Sequence, residues 1–276
     1  AAGVEHPHLR DQPDGRALTV PGARPLIIPG GQRCGSTWLA RFLDSHPEIN
    51  LARPYRPEPK VFLDPNAGAA DWWRRCSPQD TGDDGSATWV AEKSTSYLER
   101  PEVIGRIWTE LSDVEVVAVI RDPVERAISN WRFSTFNGLE DRPAEVALDP
   151  EHTPNGDAVT NDDGNSPGNV QPRRYLQRGR YSELLLPWSD RFGDRLHVVV
   201  LEELLHRETA RTTLLRELGV APTAAHPPGS VNASTDRVPV SQGVRDRLAE
   251  YYRPHRRPLE ELLNRALPWG DPVPRD

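Results

Sequence analysis

Residues Gly30–Thr37 combine a glycine-rich turn, a basic side chain and two hydroxyl side chains, one residue after the short apolar run 26–28. This segment has the frame of a phosphate-binding loop, G-x-x-x-x-G-K-[ST], except that Ser36 stands where the lysine is expected. Backbone N–H groups at such a turn, and at the start of the helix that follows, bind phosphate oxygens. The lysine that reaches the outer phosphates of a nucleoside triphosphate is missing, and Arg33 supplies the charge instead. The segment therefore predicts a nucleotide-phosphate site without Mg²⁺-triphosphate chemistry.

Two further polar segments also follow apolar runs. Residues 114–120 predict a fully buried strand, and Arg121 comes directly after it. Residues 88–91 predict another strand, with Lys93 at its end. In open sheets with parallel strands, ligands bind at the carboxyl ends of the strands. We therefore expect the glycine-rich loop, Lys93 and Arg121 to meet at one edge of the sheet.

The elements that must position these residues alternate between strands and amphipathic helices. This alternation predicts a single α/β domain with a central parallel sheet flanked by helices and a P-loop-like turn. Helices are predicted over 36–45, 69–75, 101–111, 181–192 and 209–218, from 123 onward, and over 243–267 with a break around Pro254.

Two segments stand outside this alternation. Residues 1–24 are expected to form a flexible arm, and residues 149–172, rich in Asn, Asp, Gly and Pro, an irregular lid or acceptor loop. The remainder, 25–276, is predicted to be one domain, since a chain of 276 residues can bury one sizeable core.

Charge restricts the class of partner. The formal net charge is −7, whereas proteins that bind nucleic acid or polyanionic glycans usually carry a basic surface. We therefore expect no nucleic-acid partner and an acceptor that is small or weakly charged. The exception is a local basic cluster of Arg173, Arg174, Arg178 and Arg180. The oligomeric state is left open.

Cys34 and Cys76 are the two cysteines, too few for a disulfide framework or a structural zinc site. No metal site is predicted. The sequence has no apolar run of transmembrane length and no signal-peptide core, so a cytoplasmic location is expected. Arginine far outnumbers lysine, a bias typical of bacteria with high-GC genomes. Because the sequence starts at Ala1 and has no Met, we expect the translated protein to begin elsewhere.

Three segments together resemble a known family. The segment 32–38, Gln-Arg-Cys-Gly-Ser-Thr-Trp, resembles the 5′-phosphosulfate loop of sulfotransferases that use 3′-phosphoadenosine 5′-phosphosulfate (PAPS). The segment 116–129 is similar to their 3′-phosphate motif. Residues 92–97, Glu-Lys-Ser-Thr-Ser-Tyr, are similar to the E-K-T-P-x-Y strand end of the heparan sulfate branch. The segments occur in the family's order over roughly the first half of the chain. The chain thus resembles PAPS-dependent sulfotransferases, nearest the heparan sulfate O- and N-sulfotransferases and related bacterial enzymes.

The resemblance implies where PAPS, and its product adenosine 3′,5′-bisphosphate, would bind. Arg33 and the N–H groups at the start of the first helix would hold the 5′-phosphosulfate and stabilise the departing phosphate. Arg121 and Ser129 would hold the 3′-phosphate. Arg178-Gly-Arg-Tyr181 is similar to a short G-x-Y element of bacterial relatives, and Arg237 is assigned to a late cationic loop whose spacing departs from the heparan sulfate pattern. The expected donor-binding residues are Gly31, Arg33, Cys34, Gly35, Ser36, Thr37, Trp38, Arg121, Ser129, Tyr181 and Arg237.

The resemblance also implies a catalytic base. Lys93 is followed by Ser94 and Thr95, so the histidine that cytosolic aryl and steroid sulfotransferases carry two residues after the lysine is absent. Glu58-Pro-Lys-Val-Phe62 resembles the glutamate segment of the heparan sulfate branch, which makes Glu58 the candidate base. The expected catalytic set is Glu58, Arg33 and Lys93. Lys60 is placed near the acceptor, whereas His46 is expected to be a helix cap or a surface residue.

The implied reaction is transfer of a sulfuryl group from PAPS to a hydroxyl or amine of a small-molecule, sugar or glycolipid acceptor. Two alternatives stay open. One is a P-loop kinase or NTPase in which Asp122 binds Mg²⁺, although the missing loop lysine counts against it. The other is a non-catalytic nucleotide-binding protein, because a fold does not determine a function.

Overall fold

The computed structural model describes residues 22–77, 88–151, 173–222, 225–229 and 238–269. Its centre is a five-stranded parallel sheet with the strand order β2-β3-β1-β4-β5. The strands are β1 (Arg24–Ile28), β2 (Ile49–Leu51), β3 (Trp89–Lys93), β4 (Glu115–Ile120) and β5 (Leu196–Val200). The predicted α/β fold with a central parallel sheet is confirmed. Since β3 and β4 flank β1 on opposite sides, the crevice at the carboxyl end of β1 is the position where such sheets bind ligands.

The inner parts of the central strands are apolar because helices cover both faces of the sheet. Residues 26–28 of β1 and 116–120 of β4 have no exposed surface. In the register, Ile28 pairs with Lys93, so β1 and β3 end side by side. The loop after β1 and the last residue of β3 are therefore neighbours.

Helices cover the sheet on both sides. In the described residues they are α1 (Ser36–Asp44), α2 (Ala69–Cys76), α3 (Pro101–Glu110), α4 (Pro123–Phe136), α5 (Ala144–Ala147), α6 (Tyr181–Phe192), α7 (Leu201–His206), α8 (Glu208–Glu217) and α9 (Gln242–Leu262). The start of α4 follows the sequence signal: Asp122 Oδ1 accepts the Val124 and Glu125 N–H groups, and Pro123 takes the first helical position.

One expectation about an element is wrong, and the sheet contains one strand for which no expectation was made. The prediction of a helix break around Pro254 is wrong, because α9 runs unbroken from Gln242 to Leu262. Proline removes one intrahelical hydrogen bond, but the helix also buries Val244, Leu248, Tyr252 and Leu259 against the rest of the domain, and this packing holds it together. The strand β2 was not predicted. Its three residues form an edge strand beside β3 and are too few to show a pattern.

The expected arm and lid fall almost wholly on residues that the structure does not describe, 1–21 and 152–172. Arg24, placed at the end of the arm, instead begins β1 and pairs with Glu115 at 2.9 Å. Residues 149–151, at the start of the expected lid, follow α5 as a turn.

Two apolar clusters form the interior. The larger one joins the sheet to the helices around it. The smaller joins α4, α5 and α9 to residues 175–176. The second cluster fixes α4 and the chain before α6 beside the carboxyl edge of the sheet. Among the described residues, no helix combines the length and the apolar character needed to cross a membrane.

Candidate active site

The loop between β1 and α1 continues the sheet. Gly31 N–H donates to the Val119 carbonyl at 3.3 Å, and Val119 N–H donates to the Gly30 carbonyl at 3.2 Å. Arg33 and Gly35 then adopt left-handed backbone conformations, with φ of 64° and 84°. These turns lead into α1, whose N-terminus has no side-chain cap. The first N–H groups of a helix have no intrahelical acceptor, so this end of α1 is suited to bind an anion.

Gly35 is required by packing as well as by its backbone angle. A Cβ atom at this position would lie 2.4 Å from Cδ1 of Leu201, the first residue of α7. The loop is thus pressed against the end of β5 and the start of α7. A left-handed conformation costs an ordinary L-residue about 1–2 kcal/mol, and the close approach adds to that cost.

Arg33, Arg121 and Ser129, expected on the two phosphate sites, lie together. Arg33 Nε donates to Ser129 Oγ at 3.2 Å, and Arg121 Nη1 donates to the Arg33 carbonyl at 3.4 Å. Burial lowers the pKa of the Arg33 guanidinium, and the charge of Arg121 lowers it further. Within the described ranges Arg33 forms no ion pair, and Arg121 has a contact of 3.9 Å with Glu202. The loop therefore presents more positive than negative charge, as an anion site requires.

Cys34, Tyr181 and Trp38 direct their side chains into the protein. The Tyr181 hydroxyl lies 3.3 Å from Cys34 Sγ and donates to the Arg121 carbonyl at 2.9 Å. Burial raises the pKa of both the Cys34 thiol and the Tyr181 hydroxyl. The Trp38 indole donates to the Pro228 carbonyl at 3.1 Å. These side chains support the loop from inside the protein. Any contact of Cys34 or Trp38 with PAPS would therefore come from the backbone.

Glu58 and Lys93 form a salt bridge at the end of β3. Their side chains are only 14% and 6% exposed, so the pair is largely shielded from solvent. Thr95 also donates to Glu58 Oε2, from its N–H at 3.0 Å and from its hydroxyl at 2.9 Å. A cation and two hydrogen bonds therefore orient the Glu58 carboxylate. Thr95 was part of the quoted motif but was given no role; a hydroxyl beside a strand-end lysine is the signal that marks it.

The chain after β3, whose Thr95 binds Glu58, touches the donor loop. A Cβ atom on Gly30 would lie 2.7 Å from the Thr95 carbonyl oxygen, so the two backbones are in close contact. Ser94 N–H also donates to the Ile28 carbonyl at 3.0 Å. The expected base and the expected phosphate site therefore share one crevice.

A buried carboxylate that the sequence analysis gave no role organises this side of the crevice. Glu92 is fully buried and accepts hydrogen bonds from the Trp72 indole at 2.7 Å, the Tyr97 hydroxyl at 2.7 Å and the Ser94 hydroxyl at 2.6 Å. Ser94 Oγ in turn accepts the Lys60 N–H at 2.9 Å. Burial raises the pKa of Glu92. This network ties the chain just after Glu58 to β3. An acidic residue inside a buried strand is the sequence signal for it.

No protein-family profile matches the chain. A membrane-associated sulfotransferase, kil1 of Dictyostelium discoideum, is 28% identical over 130 residues, which are 47% of this chain and 26% of that protein. A bifunctional heparan sulfate N-deacetylase/N-sulfotransferase 1 of Caenorhabditis briggsae is 27% identical over 191 residues, 67% of this chain and 21% of that protein. Human heparan sulfate glucosamine 3-O-sulfotransferase 3B1 is 34% identical over 105 residues, 38% of this chain and 25% of that protein.

The chain is similar in sequence to sulfotransferases. The resemblance read from the three motifs is confirmed. The fold agrees: the crystal structure of a sulfotransferase from Alicyclobacillus acidocaldarius superposes with a TM-score of 0.64 and 23% identity, over 89% of this chain and 98% of that one. The chain spans 26%, 21% and 25% of the length of the three curated sulfotransferases it matches.

Lys60, His46 and Arg237 were also singled out from the sequence. Lys60 has a left-handed φ of 51° and lines an open surface cavity with Asp71 and Arg74. His46 was expected to be a helix cap or a surface residue, but it is only 2% exposed, and its ring lies 2.9 Å from the Ala221 carbonyl and accepts the Glu48 N–H at 3.1 Å. Arg237 lies outside the described residues.

Proposed function

We propose that the chain transfers a sulfuryl group from PAPS to a hydroxyl or amine of a small-molecule, sugar or glycolipid acceptor. One observation carries this proposal. The Gly30–Thr95 backbone contact connects the Glu58–Lys93 pair to the Arg33–Arg121–Ser129 set, because Thr95 binds Glu58 and Gly30 belongs to the loop that carries Arg33. Carbohydrate-modifying relatives, among them a heparan sulfate glucosamine 3-O-sulfotransferase, support a carbohydrate acceptor.

The residues present fit a nucleotide with phosphates at its two ends. Arg33 and the uncapped start of α1 would hold the 5′-phosphosulfate, and Arg121 with Ser129 the 3′-phosphate. The excess of positive charge around Arg33 supports an anionic ligand, because a buried guanidinium is stabilised by a charge partner. When bound, PAPS supplies the sulfuryl group and the phosphate that departs from it.

Three residues of the chain would have separate roles in the transfer. Glu58 takes the proton from the acceptor O–H or N–H as the acceptor atom forms its bond to sulfur. Lys93 holds the Glu58 carboxylate in place before the reaction and keeps a positive charge beside it afterward. Arg33 and the N–H groups of the loop stabilise the negative charge that the phosphate retains when its bond to sulfur breaks.

Donor binding tests this proposal. Adenosine 3′,5′-bisphosphate should raise the melting temperature without added metal, because a ligand that binds only the folded state stabilises it. Arg121→Ala should remove most of this shift. Arg265→Ala, a half-exposed arginine paired with Glu203, is the matched control and should keep it. Transfer of ³⁵S from labelled PAPS to a panel of hydroxyl and amine acceptors then tests turnover. Equal shifts in the two variants would refute the 3′-phosphate assignment.

The kinase or NTPase alternative is less well supported. Asp122, its candidate Mg²⁺ ligand, uses Oδ1 to cap α4, and burial raises the pKa of its carboxyl group. Binding of ATP with Mg²⁺ in preference to the bisphosphate would favour that alternative. Tight bisphosphate binding with no turnover on any acceptor would favour the non-catalytic one. A cytoplasmic location in a bacterial cell stays a prediction from composition.

A further inference from the structure

A small polar pocket of about 150 Å³ lies beside the crevice. The donor loop contributes Gln32 to its wall, and the chain after β3 contributes Ser96. Gln32 directly precedes Arg33, and Ser96 directly follows Thr95, which binds Glu58. The pocket is therefore next to both the expected phosphate site and the expected base.

Two arginines of the basic cluster form the inner wall of this pocket around one carboxylate. Arg178 Nε donates to Glu99 Oε1 at 2.7 Å, and Arg174 Nη1 lies 3.7 Å from Glu99 Oε2. The Arg178 side chain is only 4% exposed, and burial lowers its pKa. Arg174 Nε is buried and has no hydrogen-bond partner among the residues that the structure describes. Two guanidinium groups thus share a single carboxylate.

A third guanidinium lies behind them. Arg126 is fully buried, and its hydrogen bonds go to Asn130 Oδ1 and the Tyr175 carbonyl, both uncharged groups. Its charge contributes to the lowered pKa of Arg178. At the outer rim, Arg100 is 3.6 Å from Glu102, whose side chain is 63% exposed. Positive charge is therefore in excess on the inner wall.

Buried charge is costly unless it is paired, and guanidinium groups bind carboxylate, sulfate and phosphate with matching geometry. A pocket of this volume is smaller than the roughly 300 Å³ that a drug-sized ligand needs, so it accepts one group and not a whole acceptor. We propose that it binds a carboxylate or sulfate group of the acceptor and thereby selects small acceptors with one acidic group near the reacting atom. This inference rests on the proposed function, which makes the neighbouring crevice the place of transfer.

The test measures binding with the donor site blocked. The full chain is saturated with adenosine 3′,5′-bisphosphate, and D-glucuronate, D-glucose 6-sulfate and D-glucose are titrated at constant ionic strength with ligand-observed NMR. We expect at least one of the two anionic sugars to bind tenfold or more tightly than glucose, and their ranking identifies carboxylate or sulfate as the preferred group. Equal binding of all three sugars would overturn the inference.

Matched variants locate the binding. Arg174→Gln should lower the affinity for the anionic sugar at least tenfold. Arg173→Gln makes the same charge change at the exposed neighbouring position and should leave the affinity for that sugar unchanged. If Arg174→Gln proves unstable, Arg100→Gln on the rim of the pocket replaces it. Equal losses at Arg173 and at the pocket position would mean a nonspecific charge effect and would refute the inference.

Failure of the two proposals is distinguishable. If the bisphosphate fails to stabilise the wild type, the proposed function fails, and the dependence of sugar binding on Arg174 decides the pocket by itself. If the bisphosphate binds but neither anionic sugar binds more tightly than glucose, only the pocket inference is refuted. Transfer assays on acceptor pairs that differ by one carboxylate then ask whether the preference lies in KM, as a binding pocket requires.

Discussion

Gly35→Ala tests whether the donor loop needs both a left-handed turn and close packing. The substitution adds one methyl group to a residue whose φ is 84°, at 2.4 Å from a methyl group of Leu201. The left-handed conformation costs about 1–2 kcal/mol for a residue with a Cβ atom. Overpacking against buried Leu201 adds about 1–3 kcal/mol. We therefore expect the free energy of unfolding to fall by about 2–5 kcal/mol.

Gly138→Ala provides the matched control. Gly138 has a comparable φ of 68°, but nothing lies within 4 Å of a Cβ atom added there. Its variant should lose only the backbone part, about 1–2 kcal/mol. The difference between the two variants measures the contact with Leu201. Urea unfolding of both variants and the wild type gives the free energies.

A double mutant separates the two contributions further. Leu201→Ala removes the three side-chain atoms that the new methyl group would meet. The double variant Gly35→Ala/Leu201→Ala should therefore lose less stability than the sum of the single variants, by about 1–3 kcal/mol. Bisphosphate should also stabilise Gly35→Ala less than Gly138→Ala, because only the former distorts the loop. If Gly35→Ala cost no more than Gly138→Ala and the double mutant were additive, the packing argument would be refuted.

Glu58→Gln should leave bisphosphate affinity intact while turnover falls by about 10²-fold or more, since an amide cannot accept the proton; near-normal turnover would show that another group is the base. Lys93→Arg should also lose turnover, because a planar fork does not replace a compact ammonium in a buried pair, and full activity would reduce Lys93 to a generic charge. For Glu92, whose pKa burial raises, the folded state holds its proton to higher pH than the unfolded state does. The wild-type free energy of unfolding should therefore fall as pH rises from about 4.3 through the raised pKa, and Glu92→Gln should lack this fall. Parallel pH profiles from urea unfolding would contradict the Glu92 argument.

Local signals gave much of the architecture. Residues 26–28 of β1 and 116–120 of β4 are continuous apolar runs, and a strand buried on both faces has that composition in any context. The start of α4 follows from Asp122 and Pro123, whose capping acts over a few residues. The break expected in α9 failed because the signal, a proline, is local, whereas the packing that overrides it comes from elsewhere in the chain.

The sequence by itself determined which chemistry is available: a glycine-rich loop with an arginine, an arginine after a buried strand, and a glutamate and a lysine near strand ends. Only the tertiary structure decided which of these groups meet. Arg33 and Ser129 are 96 positions apart, and Glu58 and Lys93 are 35 apart, yet each pair is in contact. The fold also placed Arg174 and Arg178 around Glu99, turning a basic run into the wall of a pocket. The physical reason is that contacts between distant residues depend on strand order and helix packing, which are set by the burial of the whole apolar core and not by any segment alone.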